Sequence, residues 1–289
     1  MARIADLLAA GRTFSFEFFP PKTDGAQLSL GRTIAELEAL RPSFVSVTYG
    51  AGGTTRQRTH EVVEWVRKET DITPMAHLTC FGHTHDEIDG ILDAYVGVGV
   101  ENIMALRGDP PVDPSDARPS DFHYAVDLVH QIADHGGFCV GVGAHPEVHP
   151  QSRSRQQDRL ALAHKLEAAD FAVSQLFFEV DHYKVMVDEL AALNCHKPIV
   201  PGIMPVTNLK QMQRMAQLSG AAFPAWLAAR LEAAETPDDV RRVGVAAATE
   251  LCAALLDVGA PGLHFYTMNR STATREIYAD LGLPAAASN

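Results

Sequence analysis

The sequence predicts an α/β protein: a (β/α)8 barrel with extra helices before the last strand. Three observations carry this. Short β-rich apolar runs recur about every 30 to 40 residues, eight of them in 289 residues. Most are continuously apolar rather than alternating, the pattern of parallel strands covered on both faces. Segments of helical period with start signals lie between them, and strand–helix–strand units joined by right-handed crossovers build a parallel sheet. Eight such units in a chain of this length close most naturally into a TIM barrel.

The expected strands are Phe14–Phe19, Phe44–Gly50, Pro74–Cys80, Asn102–Gly108, Phe138–His145, Phe171–Phe178, Pro198–Pro205 and Leu263–Asn269. Thr84 and Glu87 have the spacing of a capping box, and Ile88, Ile91, Leu92 and Tyr95 follow as one apolar stripe. Arg153–Ala169, Asp181–Leu193 and Thr207–Leu218 read as helices in the same way. Residues 222–258 read as two additional helices, the second starting at Thr236-Pro237. An open doubly wound sheet is the rival, but no strand runs into a GxGxxG turn: Gly97-Val-Gly99 and Gly141-Val-Gly143 lack the third glycine. There is no P-loop, no Pro/Gly/Ser-rich linker and no low-complexity tract, so residues 1–289 read as a single catalytic domain.

Composition narrows the function. The chain is 46% hydrophobic and 21% charged, a globular balance. No run approaches the ~20 apolar residues of a membrane span. Lys and Arg number 24 against 36 Asp and Glu, a net charge of −12. Such a surface repels phosphate backbones, which argues against nucleic acid as a partner but not against a small anion in a local basic pocket. Cys80, Cys139, Cys195 and Cys252 lie far apart without a CxxC pair, so neither a disulfide framework nor a zinc knuckle is suggested. The apolar stretch Ile4–Ala10 is broken by Asp6 and has no cleavage site, and a cytoplasmic location is expected.

A barrel places its functional side chains at the C-terminal ends of the strands. Polar residues collect there repeatedly. The first strand carries Glu17 and runs into Pro20-Pro21; the second ends Thr48-Tyr49-Gly50-Ala51-Gly52-Gly53. The third holds His77 and Thr79; the fourth ends Arg107-Gly108-Asp109-Pro110-Pro111. The fifth ends with His145 and His149 around Pro146-Glu147-Val148. The sixth holds Gln175 and the last ends Asn269-Arg270. Glu17 lies among Phe14, Phe16, Phe18 and Phe19, and desolvation by such neighbours favours a protonated carboxyl able to donate a proton. The competing reading is a structural glutamate paired with an arginine. Arg107-Gly108-Asp109 joins a phosphate-binding fork, a glycine that lets a ligand approach the backbone, and an acid; alone it reads equally as a surface turn. Thirteen histidines invite a metal reading through His77, His145 and His149. However, the His145–His149 segment is not HExxH, and Pro146 and Pro150 forbid the helix that motif needs, so no metal is expected. No GxSxG elbow is present, and Cys80 reads as an inert buried thiol.

Seven ordered segments then match one family: Phe14–Lys22, Phe44–Gly50, His77–Cys80, Ala105–Asp109, Pro146–Pro150, Pro201–Pro205 and His264–Arg270. From about residue 14 to residue 283 the chain resembles the bacterial methylenetetrahydrofolate reductases, catalytic unit only. The resemblance implies a barrel holding FAD, which takes hydride from NADH or NADPH and passes it to methylenetetrahydrofolate in a ping-pong reaction that yields 5-methyltetrahydrofolate. It implies Glu17 as the general acid at N10 of the folate. Asp109 would contact the pterin and modulate the flavin. Gln175 and Arg270 would lie on the substrate side, with Leu209 packing there. Thr48, His77, Arg107, Gly108, Tyr124, Ala125, His145, His149, Asp158 and Lys165 would be flavin contacts. Self-association is implied as well, since relatives are commonly oligomeric. The chain departs from the family pattern at His145, where many relatives carry tyrosine, and at Leu209, where some carry a phenylalanine whose stacking is lost. Three other readings remain: a flavin-independent reductase passing hydride directly from NADH, a metal-dependent hydrolase using His77, His145 and His149, and a folate-binding protein without catalysis.

Overall fold

The computed structural model describes residues 2–49, 56–110, 113, 115 and 118–283. The expected Gly50–Gly53 turn and Pro111 lie outside the described residues. In chain order the elements are α1 (Ile4–Ala10), β1 (Thr13–Phe18), α2 (Asp24–Glu38), β2 (Phe44–Val47), α3 (Arg56–Glu69), β3 (Thr73–Thr79), α4 (His85–Gly97), β4 (Asn102–Leu106), α5 (Ala125–His135), β5 (Cys139–Ala144), α6 (Arg155–Ala168), β6 (Phe171–Ser174), α7 (Val180–Ala192), β7 (Ile199–Val200), β8 (Gly202–Ile203), α8 (Leu209–Ser219), α9 (Ala225–Glu232), α10 (Pro237–Asp257), β9 (Gly262–Tyr266) and α11 (Thr272–Asp280). All strand pairs are parallel, in the order β7-β6-β5-β4-β3-β2-β1-β9-β8.

The two ends of that order are halves of one segment. The expected strand Pro198–Pro205 is broken at Pro201, which has no N–H to give to a ladder. Residues 199–200 pair with β6, and residues 202–203 pair with β9. The Pro201 carbonyl still accepts from the His264 N–H at 2.9 Å. One kinked segment therefore closes the ring. Other strands are shorter than their apolar runs, because residues such as Thr48, Arg107 and Gln175 leave the ladder to form the loops above it.

The helices start where the sequence signals them. Thr84 and Glu87 close a reciprocal capping box on α4, and Thr236 with Asp239 does the same on α10, with Pro237 in its first turn. α9 and α10 are the two additional helices. The helices pack outside the ring on residues such as Phe16, Phe18, Val45 and Val47, while Phe44, Met75, Met104, Phe171, Val173 and Val200 fill the lumen.

The stretch Ile4–Ala10 is a short helix that inserts Ile4 and Leu8 into the lumen cluster and so covers the N-terminal end of the barrel. Asn102, 1% exposed, ties it down. Its Oδ1 accepts from the Ile4 N–H at 2.8 Å, and its Nδ2 donates to the carbonyls of Ala2 at 3.2 Å and Pro74 at 3.4 Å. Among the described residues no helix is long and apolar enough to cross a membrane. Asn102→Ala leaves a buried N–H and two carbonyls without these partners, and the expected loss is about 1–3 kcal/mol of unfolding free energy by urea titration.

Candidate active site

The site begins with the two-residue period of β1. Register pairs Ser15 with Phe44 and His264, and Glu17 with Ser46 and Tyr266, all on the lumen face. Phe16 and Phe18 point the other way, into the helix-facing core. This corrects the expected surroundings of Glu17: its neighbours in sequence are phenylalanines, but its neighbours in space are polar. The carboxylate is buried (8% exposed), with Oε2 lying 3.5 Å from Ser46 Oγ, 3.4 Å from His77 Nε2 and 3.7 Å from His264 Nε2. Thr267 Oγ1 donates to the Glu17 carbonyl at 2.6 Å and secures the strand end.

Burial pushes the pKa of His77 down, against the Glu17 charge, which raises it. His77 Nε2 is buried without hydrogen-bond geometry to any partner among the described residues, its 3.4 Å approach to Glu17 included. Tyr266 donates to the Ser174 carbonyl at 2.6 Å, and burial together with the Glu17 charge pushes its phenol well up. Gly202 makes that contact possible, since a Cβ there would stand 2.2 Å from the Ser174 carbonyl oxygen and 2.5 Å from the Tyr266 hydroxyl.

A second cluster lies on the loop between β5 and α6. The rings of His145 and His149 meet edge to face at 4.5 Å. Asp158 accepts from the His149 N–H and from Ser152 Oγ, both at 3.1 Å. Lys165 donates to the Gly143 carbonyl at 2.9 Å, and burial brings its pKa down to about 8. Burial, then His149, Lys165 and Arg159, pushes His145 down to about 3. Burial, Lys165 and Arg107 also lower His149, while Asp158 and Asp109 act in the other direction. The cations of this corner, Arg107, Arg159 and Lys165, stand beside the carboxylates of Asp158 and Glu189.

Arg159, absent from the sequence reading, holds the loop in shape. It is 2% exposed and donates to the carbonyls of His145 (3.0 Å), Pro146 (2.7 Å) and Glu147 (2.9 Å), as well as to Asp158 and Glu189. Ser15, Ser46, His264 and Tyr266 were missed too. The signal that finds them is strand parity: each lies an even number of residues from a lumen position.

The remaining expected residues ring the C-terminal ends of the strands. Thr48 leaves β2 with its N–H on the Phe18 carbonyl at 2.9 Å. Arg107 reaches Gln151 at 3.1 Å across the mouth. Gly108 has φ +82, where a side chain would be strained and its Cβ would stand 2.8 Å from that of Thr79; exposed Asp109 follows. Tyr124, 67% exposed, precedes Ala125 at the start of α5, where Asp127 accepts from the Tyr124 N–H at 2.8 Å. Gln175 turns its Oε1 back to the Leu176 N–H at 2.8 Å. Leu209 opens α8 and packs on the cluster of Val206, Met212 and Leu227. Arg270 is exposed just past Met268 and Asn269, which adopt φ of 52 and 56. Among the described residues no hydrogen bond or ion pair joins Asp109, Gln175 or Arg270 to Glu17. No group of three or more His, Cys, Asp or Glu among them could hold a metal ion. Burial pushes the Cys80 thiol up to about 12, leaving it unreactive.

Residues 3–282 match the family described as methylenetetrahydrofolate reductase. The chain belongs to the methylenetetrahydrofolate reductase family. It is 38% identical to the 5,10-methylenetetrahydrofolate reductases of Salmonella typhimurium and Escherichia coli over 271 residues, covering 93% of this chain and 90% of each relative. With methylenetetrahydrofolate reductase 1 of Schizosaccharomyces pombe it shares 38% identity over 94% of this chain and 46% of that protein. Among solved structures, a Clostridium thermocellum protein described as binding two copies of 5-methyl-5,6,7,8-tetrahydrofolic acid superposes with a TM-score of 0.71 at 15% identity, over 96% of both chains. That match supports the barrel fold.

Two outcomes follow from the β5–α6 loop. Arg159→Met removes the charge partner of the buried Asp158 and the donor of three carbonyls, and costs about 3–5 kcal/mol in denaturant unfolding. Arg155→Met, which removes the more exposed partner of the same Glu189, costs within about 1 kcal/mol. The folded pKa of His145, about 3, lies below the ordinary value of 6.5. Between those values the unfolded chain binds more protons, so acidification through that window removes stability. In His145→Phe, unfolding measured across pH 3 to 6.5 shows a shallower loss than in the parent.

Proposed function

We propose that this protein reduces methylenetetrahydrofolate to 5-methyltetrahydrofolate, with NAD(P)H as the reductant and FAD as the carrier. The observation that carries this reading is Glu17, a carboxyl group buried in the barrel lumen between two imidazoles and within the mouth where ligands of barrel enzymes bind. Family membership supplies the reaction class.

The residues fit the flavin nucleotide. Its diphosphate needs positive charge and donors, and Arg107, His149 and Lys165 supply them on one side of the mouth. Burial first, and then the neighbouring His149, Lys165 and Arg159, holds the His145 pKa down at about 3. His77 offers a buried ring nitrogen without a partner among the described residues. Thr48, Gly108, Tyr124, Ala125 and Asp158 complete the proposed set, Asp158 by holding the His149 loop. When bound, FAD supplies hydride transfer.

This chain's own residues handle the proton and the charge. Glu17 is the acid that delivers a proton to N10 of the folate, which opens the five-membered ring to a cationic iminium. Asp109, exposed at the end of β4, favours that cation electrostatically. Gln175, Leu209 and Arg270 contact the substrate, Leu209 by packing in place of an aromatic stack.

Anaerobic NADH should bleach the flavin absorbance of the purified protein, and methylenetetrahydrofolate should restore it. Glu17→Gln should keep the bleaching and lose roughly 10²–10⁴-fold in the folate step. Full folate reduction by Glu17→Gln would end the acid assignment. A protein that consumes NADH with folate and ignores added FAD would replace the carrier mechanism with direct hydride transfer. Lys165→Met should lower the flavin retained through gel filtration, read by absorbance without any assay of turnover.

A further inference from the structure

Every polar side-chain contact of Glu17 among the described residues falls on one oxygen. Oε2 receives Ser46 Oγ at 3.5 Å and stands 3.4 Å from His77 and 3.7 Å from His264; Oε1 has no such contact. Behind Ser46 lies His264, fully buried, stacked on Phe44 at 5.8 Å and 15° and met edge-on by Tyr266 at 5.5 Å. Its Nε2 is 3.2 Å from Ser46 Oγ and its Nδ1 is 2.7 Å from Ser15 Oγ.

These distances give the chain of hydrogen bonds a direction. Ser15 has two acceptors in reach, the Leu263 carbonyl at 3.4 Å and His264 Nδ1 at 2.7 Å. The direction comes from the other end: the single hydrogen of Ser46 lies on Glu17 Oε2, so Ser46 Oγ accepts from Nε2–H, and in that tautomer Nδ1 accepts from Ser15. The titratable groups around this ring are Glu17 on β1, His77 on β3 and Tyr266 on β9; β2 contributes only Ser46 and Phe44.

We propose that His264 is a positioning residue that gives the two carboxyl oxygens of Glu17 different tasks: through Ser46 it makes Oε2 the anchored acceptor and leaves Oε1 to carry the proton delivered to the substrate. This rests on the functional reading above. In the step itself the Oε1–H bond breaks and an N10–H bond forms on the folate. The carboxylate left behind keeps the Ser46 hydrogen bond on Oε2 and regains its proton from water before the next turnover. Without the chain, either oxygen can hold the proton, and the protonated one can turn toward Ser46 instead of the substrate. The remote Ser15 bond matters because its hydroxyl meets Nδ1 in the tautomer that keeps the ring proton on Nε2.

The test separates the two halves of the reaction in the flavin-loaded protein by stopped flow. His264→Phe keeps a flat ring on Phe44 and removes both nitrogens. It should leave flavin reduction by NADH within about 2-fold and slow reoxidation by methylenetetrahydrofolate by about 10²-fold. His264→Gln returns an N–H near the Nε2 position and should recover most of that loss, which a space-filling role would not predict. Ser46→Ala should match His264→Phe, and the double variant should be no slower than either, because both cut one chain. Three outcomes overturn the inference: unchanged folate kinetics in His264→Phe, no recovery in His264→Gln, or multiplicative losses in the double variant. Should His264→Phe fail to fold, His264→Gln and Ser46→Ala decide the question alone, the inference requiring fast and slow folate steps respectively. A parent protein whose flavin NADH reduces but methylenetetrahydrofolate does not reoxidise overturns the functional reading itself, and this inference with it.

Discussion

The site depends on the parity of one strand. In β1 the residues alternate between the ring's interior and its helix-covered exterior, and closure of the ring leaves no other place for either set. Phe16 and Phe18 go outward into the main core, and Ser15 and Glu17 go inward. A one-residue slip would put a carboxylate under the helices and two phenylalanines in the lumen, so burial of the phenylalanines fixes the direction of the acid. The outward apolar face and the inward polar face are therefore one constraint.

The lumen is layered along its axis. At the N-terminal end it is apolar: α1 adds Ile4 and Leu8 to Phe44, Met75, Met104 and Phe171. Above this lie Ser15, Ser46 and His264, bonded to one another, and then Glu17, His77 and Tyr266. A polar layer inside a barrel is costly unless its members satisfy each other. Here Phe44 and His264 share the boundary as stacked rings, so the imidazole has an apolar face below and two hydroxyls at its edge. The second cluster is built differently, from the loop after β5 and the start of α6, and Arg159 stiffens it by gathering three consecutive carbonyls under its guanidinium.

The ring of parallel strands was legible because apolar runs covered on both faces look alike wherever they occur, and the two helices before β9 were legible from Thr236-Pro237. The break at Pro201 was less so: the proline is visible, but the change of partner from β6 to β9 is a property of closure. Glu17 was legible as a residue and misread in its surroundings, because proximity along a strand is not proximity across it. His264 and Arg159 were not singled out. One sits in an apolar run whose inward member only the pairing register reveals, and the other sits on a helix whose charged residues mostly face water.

The buried nitrogen of His77 differs from the other polar groups of the lumen. Ser15, Ser46, His264 and Tyr266 each have a hydrogen-bond partner inside the protein. His77 Nε2 has none among the described residues, although it lies beside the carboxylate. Leaving such a group unmet costs about 1–3 kcal/mol. A ligand that hydrogen-bonds Nε2 would remove that cost only when bound, beside the carboxylate of Glu17. Ser46 and His264 border the Glu17 carboxylate on one side, and the unmet His77 nitrogen lies beside it, where the proposed function puts the ligand.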